Sequence, residues 1–325
     1  MGEKINILIL SCGTRNKIVQ YFKNELAGKG MVMAADSSPF APALYDADKY
    51  FIVPTIDDNN YLETILQICS ENEIKGVLSL IDPELSIIAK NRKSFLEIGT
   101  IPIVSEYEVT EMCFNKYSMY QYLVGSGFNT MKSFIDKEQF ILELTNGNIN
   151  FPVFVKPIKG SASLNLNKAS SLEEVDMLFE RYNDLMIQEL MKGKEYGIDV
   201  YIDMFTREPV SMFAKEKLKM RAGETDKSRS IKDEELFNMI YRFVEKTGLI
   251  GPIDIDIFKQ NGQYYISEIN PRFGGGYPHA YECGVNFPSM IVNNLLGEQN
   301  RNQIGQYKEN IFMMKYNDVK IIAGN

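Results

Sequence analysis

Ser267-Glu268-Ile269-Asn270-Pro271-Arg272-Phe273-Gly274-Gly275-Gly276 is an alternating strand that runs straight into an arginine and three glycines. Alternate residues of a strand share a face, so Glu268 and Asn270 project together. The run Ile253-Asp254-Ile255-Asp256-Ile257-Phe258 alternates the same way, with aspartates on one face and isoleucines on the other. Three carboxylates and an amide oxygen on one sheet face repel one another unless a cation sits between them. Hard oxygen donors of this kind suit Mg2+, which also holds nucleotide phosphates. On alternation alone, the solvated polar face of an edge hairpin is an equal reading. Arg272 and the glycines tip the balance, because a guanidinium offers fixed donors to phosphate and glycine lets backbone approach a ligand.

Parity constrains how the two runs meet. Asn261-Gly262 between strands normally signals a two-residue type I′ turn. Gln260 would then face Gln263, Asp256 would face Ser267, and Glu268 would point to the other side of the sheet. A shared cation needs a common face. The expectation is therefore a three-residue loop, Gln260-Asn261-Gly262, with Gly262 as a left-handed bulge residue. Asp256 would lie across from Ile266 and diagonal to Glu268.

Working outward, residues 1–110 alternate short apolar runs with helical periodicity. Residues 5–10 lead through Ser11-Cys12-Gly13-Thr14 to a helix at 17–26, and residues 31–35 end at Asp36. Leu62, Ile65, Leu66 and Cys69 form the buried stripe of another helix, and residues 76–81 read as a strand covered on both faces. A doubly wound parallel sheet is predicted. The first turn carries one glycine, so the G-x-G-x-x-G dinucleotide fingerprint is absent. Residues 111–190 hold a helix at 116–125, a strand at 151–157, a glycine-serine loop, a helix at 172–181 and a strand at 185–188. Beyond them come strands at 196–203 and 209–214, and a helix at 232–246 with a start signal at Ser230 and Asp233 and a stop at Gly248.

A chain of 325 residues exceeds what one core usually serves, so two or three units are expected. Its 45% apolar and 24% charged content is that of an ordinary soluble globular protein. No apolar run approaches the roughly 18 residues that span a bilayer. The N-terminus reads as a first strand and not a signal peptide, so a cytoplasmic location is expected. Cys12, Cys69, Cys113 and Cys283 form no C-x-x-C pair and read as reduced structural residues. A net charge of -8 argues against nucleic acid or an anionic membrane as the main partner. His279, the only histidine, reads as loop packing ahead of substrate contact.

Glu268-Ile269-Asn270-Pro271-Arg272 resembles the metal-binding signature of the ATP-grasp superfamily. The glycines, with Gly284-Val285-Asn286-Phe287-Pro288, resemble a single ATP-grasp unit of the carbamoyl-phosphate synthase large chain. The resemblance covers essentially the whole chain. It implies an α/β fold: a doubly wound parallel-sheet (pre-ATP-grasp) domain at 1–110, then a two-subdomain α+β ATP-grasp fold, with a lid at 111–190 and a C-terminal subdomain carrying the metal site at 191–325. ATP and two Mg2+ ions, or Mn2+ in their place, are the implied cofactors.

By the same resemblance, Lys116 is the first nucleotide-facing lysine and Lys156 reaches the α- and β-phosphates. Residues 159–163, with Gly160, Ser161 and Ser163, form the lid loop whose backbone N–H groups meet phosphate. Glu189 accepts from the adenine amino group, backbone at Leu190 or Met191 reads the ring edge, and Glu195 holds the ribose hydroxyls. Asp256, Glu268 and Asn270 are the implied metal ligands, with Asp254 surplus to them. Arg272 would face the transferring phosphoryl group, and Arg221 would bring a cation to the γ-phosphate. Asp82-Pro83-Glu84 sits where open α/β sheets bind ligands, yet reads slightly better as acids at a helix N-terminus.

The implied reaction activates a carboxylate as an acyl phosphate, releases ADP, and lets an amine displace phosphate. Two alternatives stand beside it: bicarbonate phosphorylation of the carbamoyl-phosphate synthase kind, and a nucleotide-binding regulatory protein without turnover. The partners are then a small-molecule carboxylate and amine, with no nucleic acid and no membrane, and a homodimer is allowed.

Overall fold

A computed structural model describes residues 4–160 and 167–323 of the chain. The first sheet is parallel and has the order β3-β2-β1-β4-β5. It comprises β1 (Asn6–Leu10), β2 (Val32–Asp36), β3 (Lys49–Ile52), β4 (Ile74–Ser79) and β5 (Ile101–Pro102). Every residue of β1 is buried, because helices cover both faces. Ile7 and Ile9 pack toward α1 (Asn16–Leu26), while Leu8 and Leu10 pack toward α2 (Tyr61–Glu71) and α3 (Asp82–Lys90). α4 (Arg92–Glu97) follows α3. The predicted doubly wound parallel sheet is what forms. Asp36, at the end of β2, accepts from the N–H groups of Gly13 and Ser38, both at 2.9 Å, so it is spent on the turn after β1.

After α5 (Tyr107–Phe114), α6 (Lys116–Gly125) starts at Asn115, whose side chain accepts from the N–H groups of Tyr117 and Ser118. A four-stranded antiparallel sheet follows in the order β6-β9-β7-β8. Its strands are β6 (Ser133–Phe134), β7 (Val153–Pro157), β8 (Asn167–Ala169) and β9 (Leu185–Glu189). With α7 (Lys137–Thr145) and α8 (Leu172–Arg181) it encloses its own core around Phe140, Val153, Val155, Val175 and Ile187.

The remaining strands make a six-stranded antiparallel sheet in the order β14-β13-β10-β11-β12-β15. They are β10 (Lys194–Ile202), β11 (Pro209–Arg221), β12 (Glu224–Ile231), β13 (Gly251–Gln260), β14 (Gln263–Asn270) and β15 (Phe312–Met314). One face buries Ile198, Val200, Ile253, Ile255 and Ile257 against α6 and α9 (Glu234–Thr247). Asp233 alone caps α9, accepting from Leu236 N–H, since Ser230 belongs to β12. Gly248 ends the helix at φ 74°. α10 (Tyr277–Glu282) and α11 (Phe287–Leu295) pack back against α1. Among the described residues no helix is long and apolar enough to cross a membrane.

The β13–β14 hairpin departs from its expected form. Gln260 pairs with Gln263, so the turn is the two-residue Asn261-Gly262, with φ of 52° and 81°. The strong type I′ preference of Asn-Gly wins over the expected three-residue loop. Parity is restored further along, where the register slips between Ile257↔Ile266 and Asp256↔Glu268 and leaves Ser267 as the extra residue of a bulge. Asp256 thus lies directly opposite Glu268, not diagonal to it.

Candidate active site

Four adjacent strands build one charged sheet face. Asp256 pairs with Glu268 on one side and Gly197 on the other, and Asp254 pairs with Asn270 and Asp199. From β11, Lys217 Nζ bridges Glu195 at 2.8 Å and Asp256 at 2.5 Å, and Lys215 forms a fully buried ion pair with Asp199. Gly197 makes this crossing of lysine stems feasible, because a Cβ there would lie 3.1 Å from the Cε of both. Burial works against the charge on Lys217, but Asp256 and Glu195 outweigh it and keep the ammonium protonated. Burial, together with Asp254 and Glu268, raises the Asp256 carboxyl above its usual range even beside Lys217. The face carries more negative charge than its own cations match.

Two further lysines converge from other elements. Lys116, the first residue of α6, lies 3.2 Å from Glu268 and also donates to the Gly160 carbonyl. Lys156, on β7, donates to Gln188 Oε1 at 2.6 Å, and burial pulls its pKa down to about 8. Burial raises Glu268, and Lys116 and Lys156 more than reverse this, holding it below the usual carboxylate range. Arg272 donates to Asp82 Oδ2 through Nε at 3.2 Å and Nη2 at 2.9 Å, to Asn270 Oδ1 at 3.3 Å and to the Phe273 carbonyl at 3.0 Å. Asp82 and Glu84 therefore part company. The first reaches the site, while the second is buried among Ser11, Tyr61 and Ser79.

Glu189, Leu190 and Met191 lie on the segment that leads from β9 into β10, where Glu189 Oε2 accepts from Lys132 N–H at 3.3 Å. Gly160 is described, at φ 135°, whereas Ser161 and Ser163 lie outside the described residues. Arg221 is not gathered in. It sits exposed near the tip of the β11–β12 hairpin, paired through its backbone with Glu224, and its side chain makes no hydrogen bond or ion pair among the described residues. His279 is pinned by Ser228 at 2.8 Å and the Ile311 carbonyl at 3.1 Å, as a packing residue would be.

The three glycines after Arg272 serve a different purpose from the expected one. A Cβ on Gly274 would lie 2.4 Å from Asp254 Cγ, one on Gly275 2.7 Å from Glu224 Cδ, and one on Gly276 2.8 Å from Lys215 Cε. Each makes room for a charged side chain of the protein itself. Sequence reasoning missed Lys217 and Lys215 as members of the site, and the Arg15–Glu224 ion pair at 2.6 Å beside it. The signal for the lysines was present in the alternation of Lys215 and Lys217 with Glu216, which reads as a solvated basic stretch until β10 supplies partners.

Among the described residues no group of three His, Cys, Asp or Glu side chains makes a ready-made metal cage. Two facing carboxylates and an amide oxygen instead fit Mg2+ that keeps water and phosphate oxygens in its remaining positions.

Two family models match: "PylC-like, N-terminal domain" over residues 7–104 and "ATP-grasp in the biosynthetic pathway with Ter operon" over residues 181–319. The chain belongs to the ATP-grasp superfamily. Within it, a carbamoyl-phosphate synthase of Methanobrevibacter smithii is 24% identical over 273 residues, 77% of this chain and 70% of that one. A D-alanine–D-alanine ligase of Phocaeicola vulgatus is 33% identical over 101 residues, 29% of this chain and 31% of that one. The match thus spans about a third of that ligase's length. The ATP-grasp fold is shared with the biotin carboxylase domain dimer of Hydrogenobacter thermophilus 2-oxoglutarate carboxylase, solved with MgADP, ADP and bicarbonate. The TM-score is 0.77 at 16% identity, covering 96% of this chain and 74% of that one.

Proposed function

We propose that the protein is an ATP- and Mg2+-dependent carboxylate–amine ligase. A carboxylate oxygen attacks the γ-phosphorus, ADP leaves, and an amine nitrogen displaces phosphate from the acyl phosphate while losing its proton. The observation that carries this reading is Asp256 facing Glu268 across β13 and β14, with Lys116 and Lys156 both acting on Glu268 from other elements. Asp256, Glu268 and Asn270 would hold Mg2+, two ions in this reading or Mn2+ in their place, and the bound metal would supply positive charge against the charge that develops on the phosphates. Lys116 and Lys156 would position the phosphate chain, and Glu189, Leu190, Met191 and Glu195 would frame the adenosine. Arg272, already fixed by Asp82 and Asn270, keeps an Nη1 donor for the transferring group. Enclosure by the unit at 111–190 would keep water from the acyl phosphate. A second reading takes bicarbonate as the carboxylate, favoured by the extent of the carbamoyl-phosphate synthase match.

ADP release across carboxylate–amine pairs, with and without bicarbonate, tests both. The expected result is release that requires Mg2+ and a carboxylate and falls by roughly 10²-fold or more in Glu268→Gln, the scale of a lost charge-stabilising group. Release that needs bicarbonate alone selects the second reading. Turnover indifferent to Glu268→Gln removes the carboxylate pair from the chemistry.

A further inference from the structure

Three carboxylates of the charged sheet face already have an ammonium partner from the chain itself. Lys215 pairs with Asp199, Lys116 with Glu268 at 3.2 Å, and Lys217 with Asp256 at 2.5 Å. Lys217 differs from the other two, because the same Nζ also lies 2.8 Å from Glu195. It therefore ties a proposed metal ligand to the carboxylate proposed for the ribose hydroxyls. The Lys217 side chain is 3% exposed, whereas those of Asp256 and Glu195 are 22% and 28% exposed. Solvent reaches the two acids but not the cation that holds them.

The backbone is shaped for this placement. β10 lies between β11 and β13 in the sheet, so the Lys217 stem must pass over β10 to reach Asp256. It passes at Gly197, where a Cβ would lie 3.1 Å from Lys217 Cε. With the ammonium in place the acids are not drawn into a cage, for no three His, Cys, Asp or Glu side chains among the described residues gather around a metal position. A divalent ion arriving alone would meet a fixed positive charge directly behind Asp256, at a site where water screens poorly. Nucleotide phosphates bring the negative charge that reverses this balance.

We infer that Lys217 is the resident cation of the metal site: it holds Asp256 and Glu195 against divalent ions that arrive alone, so that the metal enters together with the nucleotide phosphates. The inference rests on the ligase reading for the identity of metal and nucleotide. Lys217 acts through the two carboxylates and is a positioning residue. Gly197 belongs to the same device, since it leaves the path that the lysine stem takes.

Titration of Mn2+ into the full chain, with the free ion read by electron paramagnetic resonance and ADP absent or present, tests it. The wild type should bind Mn2+ alone weakly, and Mn2+ with ADP roughly tenfold more tightly or better. Lys217→Met keeps the length of the stem without its charge, and should tighten binding of Mn2+ alone by roughly tenfold or more. Loss of a merely structural residue would not raise metal affinity. Lys217→Arg, which keeps the charge, should behave as the wild type does. Lys137→Gln, which removes an ammonium paired with Asp176 in the four-stranded unit, is the control. Should Lys217→Met fail to fold, the neutral Lys217→Gln replaces it, and the wild-type titration still decides. Mn2+ alone bound by the wild type as tightly as Mn2+ with ADP overturns the inference, as does unchanged or weaker Mn2+ affinity in a folded neutral variant. The two readings fail separately. Tightening in Lys217→Met without any binding of Mn2+ and ADP to the wild type sinks the ligase reading, and binding of both without tightening sinks Lys217.

Discussion

Gly274, Gly275 and Gly276 look interchangeable in sequence, yet each stands over a different side chain: Asp254, Glu224 and Lys215. The sequence announces that backbone must come close to something there. It cannot say to what, because the partners come from strands that only folding brings near. Lys215 and Lys217 were hidden for a related reason. Charged residues at alternate positions look like a solvated edge until β10 lays Glu195, Gly197 and Asp199 against them. The carboxylate set was easier to read, since Asp256, Glu268 and Asn270 lie on two consecutive strands. Gly274→Ala should cost about 1–3 kcal/mol, the range for overpacking, because Asp254 is short and has little room to swing away. Urea unfolding measures this, with Gly125→Ala at the open end of α6 as the control that should be neutral or slightly stabilising. Equal stability of Gly274→Ala and wild type would mean that Asp254 is free to move.

At the level of the hairpin, a single extra residue decides whether there is a site at all. The even spacing of Asp256 and Glu268 demands an odd connection or a bulge for a common face, and that much follows from strand parity. Where the extra residue falls does not follow from it. The turn took its preferred Asn-Gly form, and the slip moved to Ser267, beside the carboxylates. Bulges next to active sites commonly re-aim a side chain in this way. Deleting Ser267 would leave Ile266 and Glu268 adjacent and keep Ile257↔Ile266 and Asp256↔Glu268 as regular neighbours. The deletion protein is therefore expected to fold and to bind MgATP within about tenfold of wild type, since the pairing that aims Glu268 survives. Calorimetric titration reads the affinity. A folded deletion protein that has lost MgATP would mean that the bulge sets the site by its twist and not by its parity.

Across the whole molecule, the cores do not follow the order of the chain. The cluster that covers one face of the parallel sheet runs from Ile5, Ile7 and Phe22 to Phe273, Phe287 and Leu295, so the first and last parts of the chain share one interior. Tyr21 of α1 stacks on Tyr281 of α10 at 3.5 Å between ring centroids and hydrogen-bonds Glu282 at 2.9 Å. Periodicity reveals the helix at α1 but assigns no element to the six residues of α10, and it cannot show that the two, about 260 residues apart, face each other. The four-stranded sheet is different, for Phe140, Val153, Val155 and Ile187 lie in a small core of their own. A unit with a self-contained core can open while the rest stays folded, and elements that admit and release ligands are drawn from the low-stability end of a structure. Backbone amides of β7 and β9 are therefore expected to exchange through a partial opening of lower free energy than those of β1, β4 and β13. Bound MgATP should slow exchange in β7 and β9 the most, because Lys156 and the segment at 189–191 would then be tied to the nucleotide. Hydrogen exchange followed by mass spectrometry under increasing denaturant measures both effects. If β7 and β9 share a single opening free energy with β1 and β13, the unit does not move on its own, and the access route to the carboxylate pair must lie elsewhere.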